Sequence, residues 1–297
     1  MTGRSRVRLG GLAGVAALSL VGVDSSAPDL DRIAPGRAHA ATLATIRTSV
    51  NWSGFVVTAR PGTTMSFTSA AGAWTAPSVT CGRDDVGASA AVWVGLGGYD
   101  RGQAEVEQIG TAANCDARGR PTYFAWFEIA PYPAYSIDHK VRPGDVIRAT
   151  VTIARPLVTL HLANRTRKWA VTKTITWNGD DPASAEWIVE APTNCVRFKC
   201  AQAALANFGS ITITEISATG GSSRGTLVSP VWDLIPLGLV PRRASPHRYD
   251  SAEPFGRPVA FVPPTRGEHP STAGADPGPT SDDGTTFTVS WRQDAQE

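Results

Sequence analysis

From Asn51 to the end of the chain, short runs alternating apolar with polar residues recur, each closed by Gly, Pro, Asn or Asp. Successive side chains of a strand point to opposite faces, so a period of two marks a strand with one face in a core. Such runs fall at 52–59, 67–75, 90–96, 105–111, 122–129, 146–154, 158–163, 170–177, 184–190, 210–217, 232–240 and 285–291. Helical spacing is visible only at 201–208 (AQAALANF), which predicts one short helix. Many short strands with turn residues between them predict an all-β chain, a sandwich or a barrel.

Two of these runs carry candidate chemistry. In SAEWIVEAP (184–192), Ala185, Trp187 and Val189 form an apolar face. Glu186, Ile188 and Glu190 form the other, which the pattern predicts to be open and wet. In EVEQIGT (105–111), Val106 and Gln108 share one face, and Glu107 reads as a surface charge. A Glu on one strand facing a Gln on another supplies an acid/base and an amide donor. Each run alone is ordinary, because a strand Glu is usually just solvated.

The ends and the charge narrow the class. Arg4, Arg6 and Arg8 precede the apolar run 9–23, and Ala38-His39-Ala40 offers a small-x-small cleavage site, so 1–40 reads as a signal peptide. The run is too short and Gly-rich for a membrane span, and a secreted chain beginning near Ala41 is expected, with no stable membrane association. Without the first forty residues Lys/Arg and Asp/Glu balance at 23 each, and no basic patch interleaves with aromatics, which argues against nucleic-acid binding. Four cysteines in an exported chain favour disulfides: Cys195 with Cys200 around VRFK, and Cys81 with Cys115. No CxxC occurs and the five His are scattered, so neither a metal nor another cofactor is expected. The expected organisation is a β-sandwich domain over 41–240, a flexible Pro/Gly-rich insert over 241–283, and a strand at 284–291 returning to the sheet.

Six segments in order resemble the glutamic peptidases, the eqolisin family of acid endopeptidases: NWSGFVV (51–57), AVWVGLGG (91–98), EQIGT (107–111), YFAWFE (123–128), AEWIVE (185–190) and GTTFTVSW (284–291). The resemblance implies a β-sandwich of two curved antiparallel sheets with a substrate cleft on the concave face. It implies a catalytic dyad of Gln108 and Glu190, with Trp52 and Trp93 lining the cleft and Trp126 and Glu128 beside the dyad. It further implies a monomer without cofactor that cuts protein or peptide substrates. Where family members often carry Asp, this chain has Gly97. The chemistry is coherent: a carboxylate takes a proton from water and returns it to the leaving nitrogen, while an amide N–H meets the oxyanion. Two other classes fit a Trp-rich sandwich, a glycosidase using Glu186 with Glu190 and a carbohydrate-binding module. The first needs carboxyls about 5–5.5 Å apart, shorter than four residues of strand at about 3.3 Å each.

Overall fold

The computed structural model describes residues 45–99, 105–196, 199–240 and 273–293, with the side chains of 194–201 outside the description. In chain order the strands are β1 (Arg47–Ser49), β2 (Trp52–Ala59), β3 (Phe67–Thr75), β4 (Ser89–Leu96), β5 (Glu107–Cys115) and β6 (Pro121–Ile129). Next come β7 (Tyr135–Ile137), β8 (Val146–Ala154), β9 (Leu157–Asn164), β10 (Trp169–Thr176), β11 (Ser184–Glu190) and β12 (Thr193–Val196). The last are β13 (Lys199–Gln202), β14 (Ser210–Gly220), β15 (Ser223–Gly225), β16 (Trp232–Leu239), β17 (Ala273–Pro277) and β18 (Phe287–Gln293).

Hydrogen bonding links them in the order β10-β9-β8-β3-β14-β18-β17-β16-β2-β11-β4-β5-β6-β7, with β1 added to β16 and β15 to β14. The pairings are antiparallel except for β1 with β16. This one sheet curls back on itself, so that β3 lies against β4 and β11, and β8 and β9 lie against β5. The two expected sheets of the sandwich are thus two halves of a continuous sheet. Period-two residues fill the space between them: Ala185, Trp187 and Val189 of β11 meet Val92, Val94 and Leu96 of β4 and the β3 half beyond. Two indoles also tie the layers: Trp187 Nε1 donates to the Ala71 carbonyl at 2.8 Å, and Trp74 Nε1 to Thr111 Oγ1 at 3.0 Å. A buried indole brings large apolar area, and each N–H finds an acceptor across the core instead of being left unpaired.

Several expectations need correction. Residues 203–208 form no helix. Ala203, Leu205, Ala206 and Phe208 are buried in an irregular segment whose backbone bonds reach other strands, Ser89 N to Ala204 O at 2.8 Å and Thr80 N to Asn207 O at 2.9 Å. Packing against the core and cross-chain bonding replace the ladder a six-residue helix could barely start. The chain rejoins the sheet earlier than position 284, because β17 pairs with β16 and β18. Residues 241–272 and the signal segment 1–40 lie outside the described residues. The Cys81–Cys115 disulfide is present. Cys195 stands opposite Cys200 in the β12–β13 ladder, and their bridge falls on side chains outside the description.

Candidate active site

The other face of β2, β11, β4, β5 and β6 carries a second apolar cluster, with Val56, Trp93, Trp126, Ile188, Ile235 and Leu237 among its members. The ladder register sets polar side chains on this floor in rows. Val56, Glu186, Gly95, Gln108 and Glu128 are successive neighbours across the five strands. Four residues along β11, the row runs Trp52, Glu190, Ala91, Ala112 and Phe124. Between the two lies Ile188, Trp93, Gly110 and Trp126. All six site residues expected from the sequence therefore share one face.

Trp93 joins the rows. One edge of its indole donates from Nε1 to Glu190 Oε2 at 2.7 Å. The opposite edge lies over Gly95, where an added Cβ would sit 2.8 Å from Trp93 Cζ3 and 3.2 Å from the Gln108 Cβ. At Gly110 an added Cβ would fall 2.1 Å from the Val92 carbonyl and 2.7 Å from the Trp93 Cβ. The glycines leave room for the large ring, which is fully buried. Trp93, expected in the cleft wall, and Trp126, expected beside the dyad, are both buried and form the floor under the site. Trp52 is half-buried and meets Trp93 edge-on, with ring centroids 5.0 Å apart.

Glu190 Oε1 accepts from Asn51 Nδ2 at 3.1 Å. Burial pushes the Glu190 carboxyl up to about 7, against the opposing pull of the Trp93, Asn51 and Trp52 N–H groups. Gln108 Nε2 donates to Glu128 Oε2 at 2.7 Å, while its Oε1 is buried with no hydrogen-bond partner among the described residues. Burial, reinforced by the Glu190 charge and opposed by the Gln108 amide, raises Glu128 to about 8. Glu190, Glu128 and Gln108 are therefore electrostatically one unit. An amide nitrogen has two N–H groups, so Gln108 can donate one to Glu128 and one to a substrate oxygen.

Glu186 is not wet: it is fully buried, and neither carboxyl oxygen forms a hydrogen bond among the described residues. Burial raises it well above the usual carboxylate range. The neighbouring Ser184 hydroxyl pulls the other way, and the Glu107 charge adds to the rise. It is a neutral acid in the row of Gln108. Nor is Glu107 a surface charge. It is buried at the sandwich end, where Arg155 of the β8–β9 turn donates to its Oε1 at 3.0 Å. Burial outweighs that pairing and raises Glu107 to about 7. Asn51 was missed as a site residue; its place beside Trp52 in NWSG was the available signal. Gly97 has φ +84° and its added Cβ would lie 2.7 Å from the Glu105 carbonyl, so the turn itself selects glycine. Among the described residues no three His, Cys, Asp or Glu side chains gather to hold a metal ion.

Residues 50–231 match the model of the Peptidase A4 family. The chain belongs to the peptidase A4 family. These are the glutamic peptidases, or eqolisins, and the chain is accordingly a hydrolase of the peptidase class. It is 30% identical over 217 residues to Aspergillopepsin-2 of Aspergillus niger, a match covering 65% of this chain and 72% of that protein. Scytalido-glutamic peptidase, solved with a transition state analog inhibitor, shares the fold at TM-score 0.59 and 20% identity, over 82% of this chain and 99% of that one. SCP-B, an eqolisin in complex with the tripeptide Ala-Ile-His, gives TM-score 0.54 at 19% identity over the same shares. The curled all-β architecture of this glutamic peptidase is that of its structural neighbours.

Proposed function

We propose that this glutamic peptidase is a secreted endopeptidase that cuts protein chains with Glu190 and Gln108 and works on the weakly acid side of neutrality. The observation that carries the reading is the coupled unit on the sheet floor: Glu190 held by Trp93 and Asn51, and Gln108 held by Glu128, whose proton affinity responds to Glu190. Ionised Glu190 takes a proton from water as the oxygen attacks the scissile carbonyl, then delivers that proton to the leaving nitrogen. Gln108 donates its second Nε2–H to the oxyanion, and its Oε1 accepts from the attacking water. Glu128 stays protonated and fixes the amide, so the donor is oriented before substrate arrives.

The pH window follows from two limits. Below about 7 the base form of Glu190 declines. From about 4.5 upward the buried carboxyls weaken the fold as the unfolded chain releases their protons, and toward 8 Glu128 itself ionises. The peptide-based transition state analog bound to scytalido-glutamic peptidase supports a peptide as substrate. Export is supported by the Cys81–Cys115 disulfide and by the signal-like 1–40. The carbohydrate readings lose their support with Glu186 buried and on another register row than Glu190.

The test is digestion of an unfolded protein by the enzyme recovered from culture medium, with its N-terminus read and pepstatin present. Cleavage is expected from wild type, with an N-terminus near Ala41, and loss of at least a hundredfold in Glu190→Gln and Gln108→Ala that remain folded. Variants that cut like wild type would remove the dyad from the reading.

A further inference from the structure

A groove of about 1440 Å³ opens from the site across β2 and β16, lined by Asn51 and Trp52 at the end that touches Glu190. Its floor includes Ile235 and Leu237, and register orders what else lines it. Leu237 stands opposite Gly54 of β2 and opposite Arg47 of β1, so Arg47 belongs to the end near Trp52. Asp233 stands opposite Thr58, four residues farther along β16, and Arg60 and Asp181 lie at that same far end. Among the described residues the near end therefore holds one charged lining residue, Arg47.

Arg47 is exposed, and its Nη1 donates to the Tyr99 hydroxyl at 3.1 Å. Tyr99 follows the Gly97-Gly98 turn after β4, whereas β1 lies beyond β16, so the pair reaches across the groove over β2 and β11. This contact occupies one of five guanidinium N–H donors. Among the described residues no carboxylate stands within ion-pair distance of Arg47, nor of Arg60 at the far end, where Asp181 and Asp233 also line the groove. A guanidinium over this groove, with no carboxylate of the described residues in reach, is matched to a carboxylate brought by the ligand.

We propose that Arg47 forms a substrate subsite for an acidic side chain, two to four residues from the scissile bond. This deepens the peptidase reading and rests on it. The spacing follows from three strand intervals of about 4.8 Å between β11 and β1, shortened by the reach of the arginine toward Tyr99, against about 3.3 Å per extended residue. A Glu at that position binds when ionised, and a Gln of the same shape does not replace it.

The experiment compares peptide pairs that differ only by Glu or Gln, scanned from four residues before the cut to four after it. The readout is the Glu:Gln ratio of kcat/KM, internal to each enzyme form, so an overall loss of activity does not move it. At pH 5 the wild type is expected to favour Glu roughly fivefold to tenfold at one position. The ratio should fall toward one at pH 3, where the substrate carboxyl is protonated. Arg47→Gln should abolish it, and Arg47→Lys should keep part of it. The proposal is overturned if no position favours Glu in wild type, or if the preference survives in Arg47→Gln. Failure of wild type to cut any peptide of the panel overturns instead the peptidase reading beneath it, and the subsite with it.

Discussion

Replacing Glu128 by Gln should make the fold less sensitive to neutral pH. Burial raises this carboxyl from 4.5 to about 8, so the native state holds a proton that the unfolded chain releases between those values. The native state then binds more protons than the unfolded one, and stability falls as pH rises, by up to about 1.4 kcal/mol per pH unit per group. Its contribution is whole below about 4.5 and lost on the way to 8. From 4.5 to 7 the unscreened figure is about 3 kcal/mol. Partial exposure of the residue, and removal of the Glu190 charge in an inactive Glu190→Gln background that prevents self-digestion, reduce it to about 2 kcal/mol. Gln at 128 can still accept from Gln108 through its carbonyl, so little else changes. Urea unfolding of Glu190→Gln and of the double variant, at pH 4, 5, 6 and 7, reads the effect. The two should differ by less than about 1 kcal/mol at pH 4, and the double variant should be the more stable by about 2 kcal/mol at pH 7. In melting temperature that gap is about 4–8 °C for a domain of this size. Parallel stability curves across the range would refute the reasoning, because Glu128 would then be titrating as an exposed acid.

Two further outcomes follow from packing. Gly95→Ala puts a Cβ 2.8 Å from the buried Trp93 ring and 3.2 Å from the Gln108 Cβ. It should destabilise by about 1–3 kcal/mol and lower kcat/KM by about a hundredfold, read by urea unfolding and peptide kinetics; wild-type kinetics would show that the ring does not set the dyad. Replacing both Cys81 and Cys115 by Ala opens a loop with sequence separation 34. The expected loss is about 3–4 kcal/mol, seen as a lower urea midpoint; an unchanged midpoint would count against it.

The sequence made the faces legible and left their depth hidden. Period two assigned Ala185, Trp187 and Val189 to the core and placed Glu186 and Glu190 together on the opposite side, as the ladder confirms. The same parity set Gln108 on the face of Val106, while Glu107 reads as a surface charge. Parity says which way a side chain points, not what covers it. Glu186 and Glu107 were expected in water because a strand Glu on a lone two-layer face usually is. Here a second apolar cluster covers the floor, and Arg155 arrives from a turn 48 residues away in sequence. The segment at 203–208 failed for a related reason, since the core and the backbone of Ser89 override a weak local preference.

The buried carboxyls suggest what such a site gains from a floor this apolar. A sheet face with Glu190, Glu128 and Glu186 in open water would carry three negative charges at neutral pH, and the charges would repel the oxyanion they must help form. Under burial each is driven toward its neutral form, and hydrogen bonds then decide which gives up its proton first. Glu190 is held down by N–H groups of Trp93, Asn51 and Trp52, Glu128 by the Gln108 amide, and Glu186 by the Ser184 hydroxyl alone. Burial is the largest cause in all three: Glu190 reaches about 7, Glu128 about 8, and Glu186 stands well above the ordinary range. Of the three, Glu190 is the one with the most N–H groups favouring its ionised form, as the proposed base requires. That difference supports the proposed role of Glu190 over Glu186 on physical grounds, apart from where either falls in a motif.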